Sequence, residues 1–522
     1  MSQETQIRMQ SSEQPRSGGS AARVGLYVDG RSVETADWLA VKDPAAPRET
    51  VGFAPLATEE HARAAVAAAH RAWKDWSTRT PADRARMLND ALSALSAEFD
   101  ERTELLVREN GKVRGEAEVE LGVFSWRCQL ACELASELES IVRLPPLTRR
   151  PEPALEQGDG SSAKLKPYVA PPFRSEVSRM PLGVVTVIVP YNWPIAIAAA
   201  SLPYALVAGN TVIVKPPPTS PLCLLRTLSL LAAKLPPGVL NVVHGTNEAV
   251  APLIRDEKVG RVVFTGSTRG GTAIMKMAAE TMTRTTLELG GNDPALVLED
   301  ATLDEAALRR LVTASFLTSG QVCMGVKRIY VHRSRYEEVV SGMSALLSRY
   351  VVGHGLDPET TMGPLNNASQ RDIVLALRED AVKRGYEVRE LGTLAPSATS
   401  SGGYFLRPAL VLNPAFDARI VLEEQFGPAL PICAFDDLPP LIERLNGEWA
   451  GLCSSVWTSD PERAASVAAQ LRTGTTWVNN ANAVAQDDRA PFGGFRMSGL
   501  GRELGLDGLL EFTEAHTVTY PG

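Results

Sequence analysis

From Leu182 onward the chain alternates short, β-branched apolar runs with longer stretches of helical texture, and this alternation constrains the fold more than any other feature. LGVVTVIV is followed by IAIAAASLPYALVAG, then TVIVK by PLCLLRTLSLLAAKL. GVLNVV comes next, and RVVFTG is followed by TAIMKMAAETM. Short apolar strands spaced by helices are joined by crossovers and so run parallel. The pattern predicts a doubly wound α/β sheet. It resumes after Leu289 with PALVLED, a helix from Asp304 to about Leu317, and KRIYVH, which predicts a second α/β domain. At 522 residues the chain is too long for one ordinary core, so two or three domains are expected.

The flanking regions read differently. Residues 1–22 are polar with no apolar h-region, and read as a disordered arm rather than a signal peptide. Two long helical patterns follow: HARAAVAAAHRAWKDW after Thr58, and PADRARMLNDALSALSAEFDERTELLVREN with Thr80 as N-cap and Pro81 at the first helical position. Between Pro145 and Pro172, seven prolines among 28 residues predict loop or extended chain. Near the end, FTEAHTVTY alternates enough to be a strand, and an exposed terminal strand invites pairing with another subunit. Leu182 to Gly209 is the most apolar region but is broken by PYNWP and Pro203, so no membrane span is expected. The net charge of −8 gives no general reason to bind nucleic acid. Six scattered cysteines suit a reducing, cytoplasmic setting better than a disulfide framework, and the histidines form no metal-like cluster.

Three residues carry candidate chemistry. Cys323 sits in TSGQVCMGVKR. A thiol attacks as the thiolate, and at an ordinary pKa of about 8.5 only a few per cent is ionised at neutral pH, so a nucleophile needs helping neighbours. It also needs donors for the oxyanion that forms. Asn192 lies in PYNWP directly after a strand, where parallel sheets place active residues. Glu288 lies in TLELGGND beside a Gly-Gly pair. Gly266-Ser267-Thr268 follows a strand and opens a helix, a turn suited to a pyrophosphate although it is not the G-x-G-x-x-G fingerprint. Each has a plainer reading. Cys323 can be a packed small hydrophobe, Glu288 a partner of Arg284 and Asn192 a turn residue, just as Lys215 at the end of TVIVK can be a solvated strand-end lysine.

Taken together, PYNWP, GNTVIVKP, LPPGVLNVV, FTGSTRGG, LELGGND, SGQVCMG, EEQFGP and PFGGFRMSGLGREL occur in the order and approximate spacing of the aldehyde dehydrogenase superfamily. The resemblance covers roughly Val24 to Tyr520. It implies two doubly wound α/β domains plus a β-strand oligomerisation element. The dinucleotide-binding domain would be 23–144 and 178–289, the catalytic domain 290–495, and the oligomerisation element 145–177 and 496–522, in a homodimer or homotetramer. It implies that Cys323 forms a thiohemiacetal with an aldehyde, and that Asn192 and the Cys323 backbone N–H hold the oxyanion. Glu288 would activate water against the thioester left by hydride transfer. Lys215, Ser267, Gly266, Glu424 and Phe426 resemble the residues that hold the nicotinamide cofactor. A CoA-acylating enzyme is the alternative within the class, but its members generally lack a glutamate at the position of Glu288. A catalytically inactive structural scaffold is the alternative outside it, and the presence of Cys323, Asn192 and Glu288 together weighs against that.

Two finer expectations follow. Trp193, Val322, Met324 and Phe492 match tunnel-lining positions and none is charged. Burying an apolar tail contributes about 25 cal/mol per Å², so aromatic or medium-chain aldehydes are expected to be preferred over betaine aldehyde or semialdehydes. Many NAD-preferring relatives carry a glutamate where this chain has Pro218. Without that carboxylate, use of both NAD and NADP is expected, with NAD modestly ahead.

Overall fold

A computed structural model describes residues 22–144 and 173–521. The expected N-terminal arm, apart from residue 22, and the proline-rich stretch 145–172 lie outside the described residues. No helix among the described residues is long and apolar enough to cross a membrane.

The alternation after Leu182 builds the first sheet. Its centre is five parallel strands in the order Leu240–Val242, Thr211–Lys215, Val184–Ile188, Val259–Thr265 and Arg284–Glu288. The helices Pro194–Val207, Leu222–Ala232 and Thr268–Ala278 supply crossovers. The chain winds outward one way from Val184–Ile188, then returns to its other side with Val259–Thr265, so these two neighbours form the switch point of the sheet. In open parallel sheets ligands bind there, beyond the carboxyl ends of the strands. The second sheet has seven strands, centred on Val326–His332 between Ala429–Phe435 and Asp293–Val297, with Glu387–Glu390 as its antiparallel edge. Both sheets are covered by apolar cores, and the strands Val184–Ile188, Thr211–Lys215 and Asp293–Val297 are buried at every position. Residues 289–292 carry the last long strand of one sheet into the first strand of the other, which puts Glu288 at the junction.

Three details depart from expectation. The helical pattern after Thr80 is not one helix: Pro81–Leu92 and Phe99–Asn110 are separated by a 3₁₀ stretch, Ser93–Glu98. Ser93 Oγ donates to the carbonyl of Asp90 at 2.7 Å and Ser96 Oγ to that of Ser93 at 2.9 Å, so these serines compete for helix acceptors. Thr80 does cap the first helix, accepting from Asp83 N at 3.1 Å, with Pro81 following. A small third sheet joins Val142–Leu144, Phe173–Pro181 and Thr513–Pro521. It takes in residues 178–181, which the sequence boundaries gave to the first domain. Conversely, Gly499–Leu500 pairs with Leu287 and Glu288, completing the free edge of the first sheet, so only the last part of 496–522 enters the small sheet.

Candidate active site

The turn that carries Cys323 is wound in an unusual direction. Thr318, Ser319 and Gly320 have φ of 50°, 57° and 76°. Two consecutive non-glycine residues in the left-handed region, one of them β-branched, are strained and must be held by their surroundings. They are: Thr318 N donates to half-buried Glu116 at 2.7 Å, Trp193 Nε1 donates to Thr318 Oγ1 at 3.0 Å, and Ser319 Oγ donates to the carbonyl of Gly363 at 2.8 Å. Cys323 follows, half-buried, just before the central strand Val326–His332. Burial pushes its thiol up to about 12, Lys327 opposing and Glu424, Asp293 and Glu288 adding to the rise.

Asn192 faces this turn from the switch point of the first sheet. Its Nδ2 donates to the carbonyl of Gln321 at 2.9 Å. That uses one of two amide protons and aims the group at the nucleophile turn. The PYNWP loop is itself clamped. Asn110 Nδ2 donates to Tyr191 O at 2.6 Å and Lys112 Nζ to Asn192 O at 2.9 Å. Lys112 pairs with Glu120, both fully buried, and Glu120 accepts from Ile195 N at 2.8 Å at the start of the following helix. The same ammonium stands 4.1 Å over the Trp193 ring.

Glu288 ends the strand Arg284–Glu288, 3% exposed, and neither carboxylate oxygen has a hydrogen-bond partner among the described residues. Burial holds the carboxyl well above the usual carboxylate range, with buried Glu503 reinforcing the effect and Arg502 opposing it. The partner suggested by the sequence is elsewhere: Arg284 pairs with Glu514 at 2.6 Å. Glu503 is held up at about 6 by its own burial, against a hydrogen bond from Ser201.

Of the candidate cofactor residues, Lys215, Gly266 and Ser267 lie at the carboxyl ends of first-sheet strands, and Glu424 and Phe426 on the loop that enters Ala429–Phe435. Gly266 N donates to the Glu288 carbonyl at 2.9 Å, so the anion turn and Glu288 are joined by backbone. A side chain at Gly266 would meet the tip of the Phe264 ring at 2.6 Å, so the ring would have to shift to admit one. Ser267 caps the helix Thr268–Ala278, accepting from Gly270 N at 3.1 Å. Lys215, at the end of a neighbouring strand, is 7% exposed, and burial alone pulls its ammonium down to about 8. No carboxylate among the described residues pairs with it, and a buried ammonium of this kind fits an anionic or hydroxyl-rich ligand such as a nucleotide. Glu424 lies against Gly290, at a distance no Cβ would tolerate, and accepts from Gly291 N at 3.3 Å. Phe426, at φ 45°, meets Tyr191 edge-on with centroids 6.2 Å apart. Pro218 is exposed in the loop beyond Lys215.

Of the four expected tunnel residues, Trp193, Val322 and Met324 share one apolar cluster with Ala196, Val123 and Ile197. Phe492 belongs to the large central cluster, against which Cys323 and Met324 also pack. Sequence reasoning did not single out Val123, Lys112, Glu120, Lys327 or Glu503. Glu503 and Lys327 lie inside or beside the family-like motifs; Val123 and Glu120 read as ordinary helix residues and Lys112 as part of a short loop between two helices.

Comparison with known proteins gives a consistent picture. The family model described as Aldehyde dehydrogenase family matches residues 29–518. A phenylacetaldehyde dehydrogenase of Pseudomonas fluorescens is 34% identical over 502 residues, covering 95% of this chain and 94% of that protein. A betaine aldehyde dehydrogenase from Staphylococcus aureus, solved with NAD+, superposes with a TM-score of 0.85 at 26% identity, covering 95% of this chain and 94% of the other. An NADP-dependent enzyme of E. coli superposes with a TM-score of 0.86 at 28% identity, covering 96% of this chain and 98% of the other.

Proposed function

The chain belongs to the aldehyde dehydrogenase family, and from that premise we propose that it oxidises apolar, aromatic or medium-chain aldehydes to carboxylic acids with NAD or NADP, through covalent chemistry at Cys323. The observation that carries this reading is the orphaned, buried carboxylate of Glu288 at the junction of the two sheets, beside the Cys323 turn. A buried acid without hydrogen-bond partners costs stability, and such groups cluster where chemistry needs them.

In this reading the Cys323 thiolate adds to the aldehyde carbonyl. The oxyanion is held by the second Asn192 amide proton and the Cys323 N–H. A nicotinamide, when bound, supplies the acceptor for the hydride that the thiohemiacetal loses. Lys215, Ser267 and Glu424 would hold its nucleotide and ribose groups, and Phe426 would position the ring. Glu288 then takes a proton from the water that attacks the thioester, and Cys323 leaves as thiolate. A carboxylate at this position favours water over CoA as the acyl acceptor. The apolar cluster around Trp193 and the likeness to a phenylacetaldehyde dehydrogenase support an aromatic or alkyl aldehyde. Pro218 offers neither an acceptor for a ribose hydroxyl nor a charge against a 2′-phosphate, which supports use of both cofactors with NAD ahead. The exposed face of Thr513–Pro521 supports pairing of subunits through the small sheet. Six free thiols suit a cytoplasmic setting.

The test is stopped-flow reduction of cofactor by Glu288→Gln. A burst of one equivalent per site followed by slow steady-state release of acid supports the reading. Wild-type rates in both phases assign Glu288 a structural role instead.

A further inference from the structure

Lys327 takes no part in the steps proposed above, yet it is 3% exposed and its ammonium points back into the nucleophile turn. Nζ donates to the carbonyls of Val322, Cys323 and Gly325, the latter two at 3.1 Å. An ammonium has three protons, and here all three go to one turn. On its other side stand Glu424, at 3.9 Å, and the Phe426 ring, at 5.8 Å.

We infer that Lys327 is the positioning residue of the nucleophile turn, aiming the Cys323 N–H at the oxyanion and supplying the positive charge that stabilises the Cys323 thiolate. The inference rests on the reading of Cys323 as nucleophile. Its first half follows from peptide geometry. The carbonyl of Val322 and the N–H of Cys323 belong to one planar trans unit and point in opposite directions. Holding that carbonyl toward Lys327 turns the N–H away from the ammonium, out of the turn. The second half follows from the charges that face the thiol. Glu424, Asp293 and Glu288 are carboxylates, Cys453 is a second buried thiol, and Lys327 is the cation. Three acids around a thiol disfavour its anion, and Lys327 is the group among these that opposes them. Because it stands between Cys323 and Glu424, it also links the nucleophile to a carboxylate on the cofactor side.

The experiment is alkylation of Cys323 by iodoacetamide in the full-length protein, followed across pH and resolved by peptide mass spectrometry. Lys327→Gln is expected to raise the pH midpoint, each pKa unit slowing alkylation below the midpoint about tenfold. Glu424→Gln is expected to lower it, and Lys327→Arg to stay near wild type. A role limited to packing moves both neutral variants the same way or not at all, and either result overturns the inference. Where Lys327→Gln fails to fold, Lys327→Met decides: an unchanged midpoint overturns the claim. Turnover by Cys323→Ala would instead overturn the nucleophile reading, and leave the alkylation comparison standing.

Discussion

At the scale of single residues, the site is a set of ionisable groups kept away from water. Cys323, Glu288, Glu424 and Asp293 all have their acidic forms favoured by burial. Such groups are costly unless a ligand or a reaction uses them. Cys323→Ala should abolish turnover while equilibrium dialysis still detects cofactor binding; substantial remaining turnover rejects the nucleophile. The Glu288 shift has a definite sign. A base whose carboxyl is held above the usual range becomes competent only as pH rises, so acid release should climb with pH beyond the ordinary carboxylate range. Glu503 contributes a like charge to that shift. Glu503→Gln should therefore move the rising limb of the steady-state pH profile to lower pH, and a shift to higher pH contradicts the electrostatic account.

At the scale of elements, what matters is how strand ends and turns hold these groups. The PYNWP loop depends on a buried ion pair, Lys112 with Glu120, that bonds its backbone from both sides. Removing one partner of such a pair typically costs about 3–5 kcal/mol. Glu120→Gln should lower stability by that order in urea titrations, and an unchanged midpoint shows the clamp to be dispensable. The proposed choice of cofactor depends on the loop after Thr211–Lys215. A hydrogen bond to a charged group contributes about 1.5–3 kcal/mol, so Pro218→Glu should shift the kcat/KM ratio toward NAD by roughly tenfold or more. An unchanged ratio removes Pro218 from the specificity argument. Much at this scale was legible in the sequence. Strands buried on both faces have an unbroken apolar texture, and Thr80-Pro81 announces a helix start. The clamp was not legible, because Asn192 lies 80 residues from Lys112 in the chain and meets the Lys112–Glu120 pair only through packing. The left-handed turn at Thr318 and Ser319 was not legible either, since their residue types argue against it. The break at Ser93 stays hidden because apolar periodicity continues through it while side-chain hydroxyls reorganise the backbone.

At the scale of the whole molecule, two mostly parallel sheets are joined in the chain through residues 289–292, and the candidate site draws residues from both. One sheet presents strand carboxyl ends and a helix N-terminus suited to a nucleotide. The other presents the cysteine turn. Substrate choice belongs to this scale because the apolar cluster draws Val123 from one helix, Ala196 from another and Val322 from the turn. A kcat/KM panel should rank phenylacetaldehyde and medium-chain aldehydes above betaine aldehyde and semialdehydes, and a clear win by a charged aldehyde rejects the apolar-pocket reading. The central claim is that acyl transfer runs through Cys323 and that Glu288 releases the acid. It is tested most directly by rapid quenching of Glu288→Gln with phenylacetaldehyde and NAD, followed by intact-mass and peptide mass spectrometry. An acyl adduct is expected to accumulate within the first turnover and to map to Cys323. Full turnover with no adduct, or an adduct on another residue, would contradict the claim.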